Sequence, residues 1–329
     1  MSLRHSHPTR FAAVVACCGL AVTLVFRCPA APLAYTNGDL LACFRADGGA
    51  ADLVVKLGGV AEFDGLPVGT RLALNNLSSS QLSAAFPTLN GIAWSVLGVA
   101  RGNTNLPQYA LHTLWLTSPH LTAETLGPVW KRQGPYTQGP IGSQIEIIGA
   151  GAATYSSQQP AGPNNTATGV IIDANDPNAY TTLMSTAGNL AGTFQGNVEA
   201  ATASDFVSAS TPSRALLYQL APATGSALNS AGRILGTLEF APDGTLSFTA
   251  GPPPVRIADL RLDGDTVVIG FASYSSFAYR LRSTNAEGLN RPTSQWPTDG
   301  EPLTGDGSFI TLRAPRTSTA QFYAIEVLR

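Results

Sequence analysis

Residues 39–57 read DLLACFRADGGAADLVVKL, and this stretch decides the class of fold. In its second half Leu53, Val55 and Leu57 alternate with Asp52, Val54 and Lys56. A two-residue period is that of a strand with one face on a core and the other in water. The first half, Asp39–Arg45, is a further apolar run. Between the two lies Asp47-Gly48-Gly49, whose glycines accept the positive φ of a tight turn. The pair predicts an antiparallel hairpin and a mainly β chain.

The same signals continue outward. Ser78 followed by Gln81 predicts a capping box opening a short helix, which Pro87 closes. Strands are expected at Ile92–Ala100 and Ala110–Thr117. Ile141, Ile145, Ile148, Ala152 and Tyr155 recur at steps of four and three, the apolar face of a helix starting at Pro140. Gly149 and Gly151 weaken that helix, so it needs packing to persist, and they let it lie close against a sheet. Strands follow at Gly169–Ile172 and Ala215–Leu220. Ile234–Phe240 and Thr245–Phe248 form a hairpin turned by Pro242-Asp243-Gly244. No period of 20–50 residues is present, which argues against a solenoid.

Gly251-Pro252-Pro253-Pro254 then interrupts the pattern. A proline run favours stiff polyproline geometry and cannot join a strand ladder, so it reads as a spacer. Charge changes across it, from 8 basic and 13 acidic residues over 35–249 to 8 of each over 250–329. Beyond it, ADLRL (258–262) and TVVIGF (266–271) flank Asp263-Gly264, and Phe277, Tyr279 and Leu281 alternate with Ala278, Arg280 and Arg282. SFITLR (308–313) and QFYAIEVL (321–328) add two more strands. Five short strands with polar turns predict a small β-sandwich. In it Tyr323, Ile325 and Val327 face the core, while Arg280 and Arg282 point away to solvent. The expected organisation is a leader over 1–34, a larger β-rich (α+β) domain with one or two helices over 35–250, a proline linker over 251–254 and the sandwich over 255–329.

The leader is read from Arg4, Arg10 and Arg27 around the apolar run Phe11–Phe26, followed by Ala30, Ala31 and Ala34. A basic start, an apolar stretch of 16 residues and small residues at its exit describe a secretory signal peptide. The stretch is shorter than the roughly 20 residues of a membrane-spanning helix. The expectation is export to the cell surface or medium, with no membrane span once the leader is cut near Ala30–Ala34. Removing its three arginines leaves 16 basic residues against 21 acidic ones, a net charge of −5. Cys17, Cys18 and Cys28 leave as well, so Cys43 has no partner for an internal disulfide.

Composition excludes two classes. With 44% hydrophobic and 12% charged residues the 329-residue chain is not a disordered one. Its acidic balance offers no basic patch for nucleic acid. The chain carries no GxSxG, HExxH, Walker or GxGxxG motif. His112, in LHTLWL, reads as a structural residue of a strand, and His120, after Pro119, as a solvated one. Asp173, Asn175 and Asp176 sit in DANDPN, where oxygen-bearing side chains suit calcium. The same residues also build Asx turns, and the spacing of an EF-hand is missing. Asp263, Asp265, Asp299, Glu301 and Asp306 read as turn and loop residues. Trp94 and Trp115 lie in strands and belong to the core. Trp130 and Trp296 lie in Pro/Gly-rich loops, where a ring serves either as a sugar platform or as a plug on the core.

The segments GDLLACFRADGG (38–49), DLVVKLG (52–58), TLWLTSP (113–119), VWKRQGPYTQG (129–139) and GTLEFAPDGTLSFTA (236–250) together resemble a group of exported, uncharacterised β-rich proteins of environmental Gram-negative bacteria. Many of that group carry a PEP-CTERM sorting signal. The resemblance covers most of 35–250 and implies export and a β-rich fold, but no site residues. The end of the chain departs from the pattern. No Pro-Glu-Pro motif with apolar helix and basic cluster follows residue 249, and YRLRSTNAEGL (279–289), Trp296 and QFYAIEVL resemble a small β-module that ends many secreted proteins of such bacteria. The expected function is non-catalytic, a structural, adhesive or matrix role with no cofactor. The alternative is a module binding extracellular polysaccharide or cell-surface components, with or without calcium. A hydrolase would need His112 or a carboxylate pair in a cleft.

Overall fold

The computed structural model describes residues 31–102, 106–120, 129–190, 195–318 and 320–329. Of the expected leader over 1–34, residues 1–30 lie outside them, while Leu33 is buried, with its N–H donating to Ser156 Oγ at 2.8 Å. The hairpin of residues 39–57 forms as β1 (Asp39–Ala46) and β2 (Ala51–Gly59), with Gly48 at φ +63° in its turn. It seeds a large sheet with β3 (Arg71–Ala73), β4 (Ile92–Val99), β5 (Leu114–Pro119), β6 (Gly169–Asp173), β7 (Ala200–Ala201), β8 (Ser213–Leu220), β9 (Arg233–Phe240) and β10 (Leu246–Ala250). Among the described residues the strand order is β3-β10-β9-β8-β5-β4-β1-β2-β6, with β7 beside β4, and every pairing is antiparallel.

The sheet is curled. Phe44 of β1 and Phe240 of β9 lie four strands apart, roughly 19 Å in a flat sheet, yet their ring centroids are 5.3 Å apart. Inside the curl Trp94 stands 6.4 Å from Phe44 and 6.0 Å from Phe240, and Phe206 stacks on Phe240 at 5.6 Å. The short helix α1 (Ser79–Ala85) adds Leu82 to this core; Ser78 Oγ accepts the Gln81 N–H at 3.1 Å, as a capping residue should.

The opposite face carries Leu41, Cys43, Val54, Leu97, Leu116 and Tyr218, covered by helix α2 (Pro135–Gln158). This helix starts five residues before Pro140, because Pro135 occupies its first turn, where no N–H is needed. Its Ile141, Ile145, Ile148 and Ala152 are buried. Gly142 packs so closely that a Cβ there would lie 2.8 Å from Val99 Cγ2. Two-sided cover also corrects the reading of β2: Asp52 and Val54, expected to face water, are as buried as Leu53 and Val55. Only the Lys56 side chain on that face reaches solvent, paired with Asp39 at 2.8 Å. Of two one-turn helices, α3 (Tyr180–Leu183) adds Tyr180 to the face under α2, and α4 (Phe206–Ala209) sends Phe206 into the curl. Among the described residues no helix is long and apolar enough to cross a membrane.

Cys43 lies fully buried in β1, and burial, followed by the nearby Asp52 and Glu199 carboxylates, pushes its thiol well above the ordinary range. A thiol reagent is therefore expected to label it only after denaturation. Labelling of the native chain at the rate of a free thiol would contradict this placement.

No sheet runs across residues 251–254. The tail forms β11 (Ile257–Asp263), β12 (Thr266–Ala272), β13 (Ala278–Thr284), β14 (Thr298–Thr304), β15 (Phe309–Pro315) and β16 (Phe322–Leu328). They make two three-stranded sheets, β11-β12-β15 and β14-β13-β16. Val267, Ile269 and Phe271 of one sheet meet Phe277, Tyr279 and Leu281 of the other, with Phe271 and Tyr279 in an edge contact at 5.1 Å. The fold is mainly β with few helices, a larger curled sheet followed by a small sandwich.

The expected set Tyr323, Ile325 and Val327 packs against this core, half-buried. Arg280 and Arg282 leave by the other face, as expected, but they are only partly exposed and are held in ion pairs. Glu326 binds both, Arg280 at 2.7 Å and Arg282 at 2.8 Å, and Arg282 also donates to the Trp296 carbonyl at 2.6 Å. Asp299 and Glu301, expected in a loop, belong to β14. The proline run is not a free spacer either. Gly251 and Pro253 are buried, and Gly251 donates to the Leu235 carbonyl at 2.9 Å. Pro252 is half-buried and Pro254 exposed, and all three rings line a groove together with Thr237, Glu239 and Thr249 of the large sheet. Arg329 closes the junction from the chain end, donating to the carbonyls of Leu66 and Leu235 at 2.8 Å each.

Candidate functional site

Strand register builds the site. β8 and β9 set Arg214 against Glu239 and Leu216 against Thr237, and β9 and β10 set Thr237 against Thr249. Directly opposed residues share a face, so Arg214, Glu239, Thr237 and Thr249 form a polar patch on one face of the large sheet. A groove of about 940 Å³ opens over them. Pro252, Pro253, Pro254 and Tyr274 border it, as do His120, Glu199 and Pro212. The volume lies within the range of small-molecule and ligand clefts.

Its charges are largely spent on each other. Arg214 Nε reaches Glu239 Oε2 at 3.0 Å. Glu199 is held by Arg45 in a fork, Nε to Oε1 and Nη2 to Oε2, both at 2.7 Å. Behind that pair a polar layer continues into the protein. Thr181 donates to both Asp52 oxygens at 2.6 Å, and Ser95 Oγ and Tyr180 Oη lie 2.7 Å apart. Burial raises the Asp52 carboxyl above its ordinary range, against the pull of the Thr181 hydrogen bonds and of Arg45. Burial first, and then Arg214, holds the His120 imidazole below its ordinary range, so it is neutral near pH 7.

Two polar atoms of groove residues, His120 Nδ1 and Thr237 Oγ1, have no hydrogen-bond partner among the described residues, and both are buried behind the groove surface. Buried polar atoms are normally paired. With the Arg214–Glu239 and Arg45–Glu199 pairs closed, pyrrolidine rings on its border and the exposed Asp205 carboxylate in its lining, the open surface of the groove mixes apolar and polar groups. His120 is thus half-buried in a groove, where the sequence suggested solvent. His112 precedes β5 in a turn at φ +69° instead of lying within the strand; its N–H donates to Ala100 and its carbonyl accepts from Gln138, a structural role.

The other sequence-derived residues lie elsewhere. Trp130 is 1% exposed and stacks on Tyr218 at 6.1 Å, and Trp296 is 8% exposed with Nε1 donating to the Arg291 carbonyl at 3.0 Å. Neither ring is open to a sugar: Trp130 belongs to the core on the α2 side, and Trp296 is tucked against its own loop. In the 173–178 loop Asp173 Oδ1 accepts the Asn175 backbone and side-chain N–H at 2.9 and 3.0 Å, and Asp176 Oδ1 accepts the Asn178 N–H at 2.8 Å. These are Asx turns leading into α3, and Asn175 turns its amide nitrogen, not its oxygen, toward Asp173. Among the described residues no three His, Cys, Asp or Glu side chains are placed to share a metal ion.

Sequence reasoning missed the groove because its residues span Pro119 to Tyr274 and no local pattern links them. The antiparallel register of β8, β9 and β10 gathers the polar patch, and the end of β5 and the start of the tail bring in the rest. Compared with known proteins, the chain matches no family model, no curated protein and no solved structure.

Proposed function

We propose that the protein is an exported, non-catalytic adhesive or matrix component whose groove holds a strand of neutral polysaccharide. The observation that carries this reading is the groove itself, with the pyrrolidine rings of Pro252, Pro253 and Pro254 bordering the polar patch of Arg214, Glu239, Thr237 and Thr249. A sugar ring offers a C–H face to apolar planes and hydroxyls to hydrogen-bonding groups, and clefts with few convergent polar groups suit such ligands. Export rests on the basic start, apolar run and alanine-rich exit of residues 1–34. The resemblance of residues 35–250 to exported β-rich proteins points the same way.

The test is affinity electrophoresis of the chain without its leader through gels holding neutral glucans, xylans or mannans, with uncharged polymer as blank. At least one polysaccharide should retard it, and Thr249→Trp, which fills the groove, should restore free migration. Equal migration in every gel, or equal retardation of the filled variant, would overturn the reading.

A further inference from the structure

The free edge of the tail sandwich carries a separate inference. Among the described residues β11 pairs on one side only, with β12, in a ladder bulged between Ile257 and Asp259 and regular from Asp259 to Asp263. Its residues are exposed along its length apart from Asp259. The alternation set by β12 directs Leu260 opposite Ile269 and Leu262 opposite Val267, on the buried side of the sheet, yet Leu260 and Leu262 are 65% and 57% exposed. These leucines overhang the core with nothing beneath them. The other edge of this sheet, β15, ends in Pro315, a residue that blunts strand edges. β11 has no proline.

Its backbone is ready to pair. A two-residue turn, with Gly264 at φ +60°, joins Asp263 to Thr266. In such a hairpin the flanking pair exchanges both ladder bonds, and bonding then alternates along the strands. The N–H and C=O groups of Leu262 and Leu260 therefore point to the open side. Its outer face alternates in sign, Asp259, Arg261, Asp263. Within the chain Arg261 pairs with Asp259, and Arg313 with Asp263 at 3.1 Å.

We propose that β11 pairs antiparallel with β11 of a second copy of this chain across a two-fold axis at Leu260. That register places Asp259 opposite the partner's Arg261 twice, sets Leu260 against its own copy in a hydrogen-bonded position, and extends each three-stranded sheet into one of six. Shifting the axis one residue, to Arg261, would oppose arginine to arginine, and like charges directly opposed disfavour pairing. The isologous contact closes on itself, so it yields dimers and not fibres.

Sedimentation velocity on the chain without its leader tests this. A concentration-dependent dimer is expected. Asp259→Arg or Arg261→Asp alone should raise its dissociation constant by about tenfold or more, since each creates two like-charge pairs. The double exchange, D259R with R261D, should restore it. If a single variant misfolds by circular dichroism, Leu260→Lys supplies the same loss, because Leu260 is exposed in the monomer. A monomer at all concentrations, a dimer indifferent to the single exchanges and to Leu260→Lys, or no recovery in the double variant would overturn the proposal.

Discussion

Trp94→Ala is expected to lower the stability of the chain by about 4 kcal/mol, the upper range for removing a buried aromatic. Trp94 is fully buried inside the curl, packed near Phe44 and Phe240, and its Nε1 donates to Ser213 Oγ at 2.9 Å. It therefore bridges strands from opposite sides of the curled sheet. Truncation leaves a cavity that stiff strands cannot collapse into, and strips Ser213 of its donor. Trp94→Phe keeps much of the ring volume and should cost less, on the order of 1–2 kcal/mol, chiefly from the lost hydrogen bond and partial void. Urea denaturation followed by far-ultraviolet circular dichroism reads both. A loss below about 1 kcal/mol for the alanine variant would mean that the sheet does not close around this ring.

The second large effect belongs to Arg45→Ala, expected to cost about 3–5 kcal/mol at neutral pH. Arg45 is the cation for Glu199, which it holds in a fork, and it also lowers the Asp52 carboxyl. Both carboxylates are buried, at 4% and 0% exposure. Losing the guanidinium leaves them charged without a counterion, and breaking such a pair from one side is worse than replacing both partners. The pH dependence follows in sign. Asp52 already has a folded-state pKa raised by burial, and removal of Arg45 raises it further. A carboxyl with a raised folded pKa binds its proton more tightly when folded, so its penalty is present at neutral pH and fades as pH falls through that value. The stability gap between wild type and Arg45→Ala should thus narrow on acidification. A gap that is constant or widens would show that lost packing, not orphaned charge, dominates. Combining Arg45→Met with Glu199→Leu should cost less than Arg45→Ala, since no uncompensated charge remains on that pair.

Several elements were legible because their causes are local. Gly48, Gly244 and Gly264 all adopt positive φ in the turns where they were expected, since a glycine between alternating runs has few other uses. Ser78 caps α1 through a bond made within four residues. The alternation of Phe277, Tyr279 and Leu281 with Arg280 and Arg282 set the face of β13 correctly, because side chains of a strand must leave on opposite sides. The isoleucine spacing of α2 identified its buried face, although not its start, where proline serves equally as first residue or as breaker.

Tertiary structure alone decided what covers each face. A period of two says that one side of β2 is apolar, but Asp52 is buried because α3 brings Thr181 to its oxygens, an arrangement joining residues 129 positions apart. Trp130 and Trp296 look alike in sequence to exposed platforms, and only the neighbours that reach them bury their rings. The groove is the extreme case. Arg214, Glu239, Thr237 and Thr249 become one surface through ladder register. His120 joins it at the end of β5, where its N–H donates to the Arg214 carbonyl, and the prolines join through the way the tail settles on the sheet. Turn chemistry and periodicity are written in neighbouring residues, whereas register between distant strands is set by the whole packed core; the first is therefore readable from the chain, and the second only from its fold.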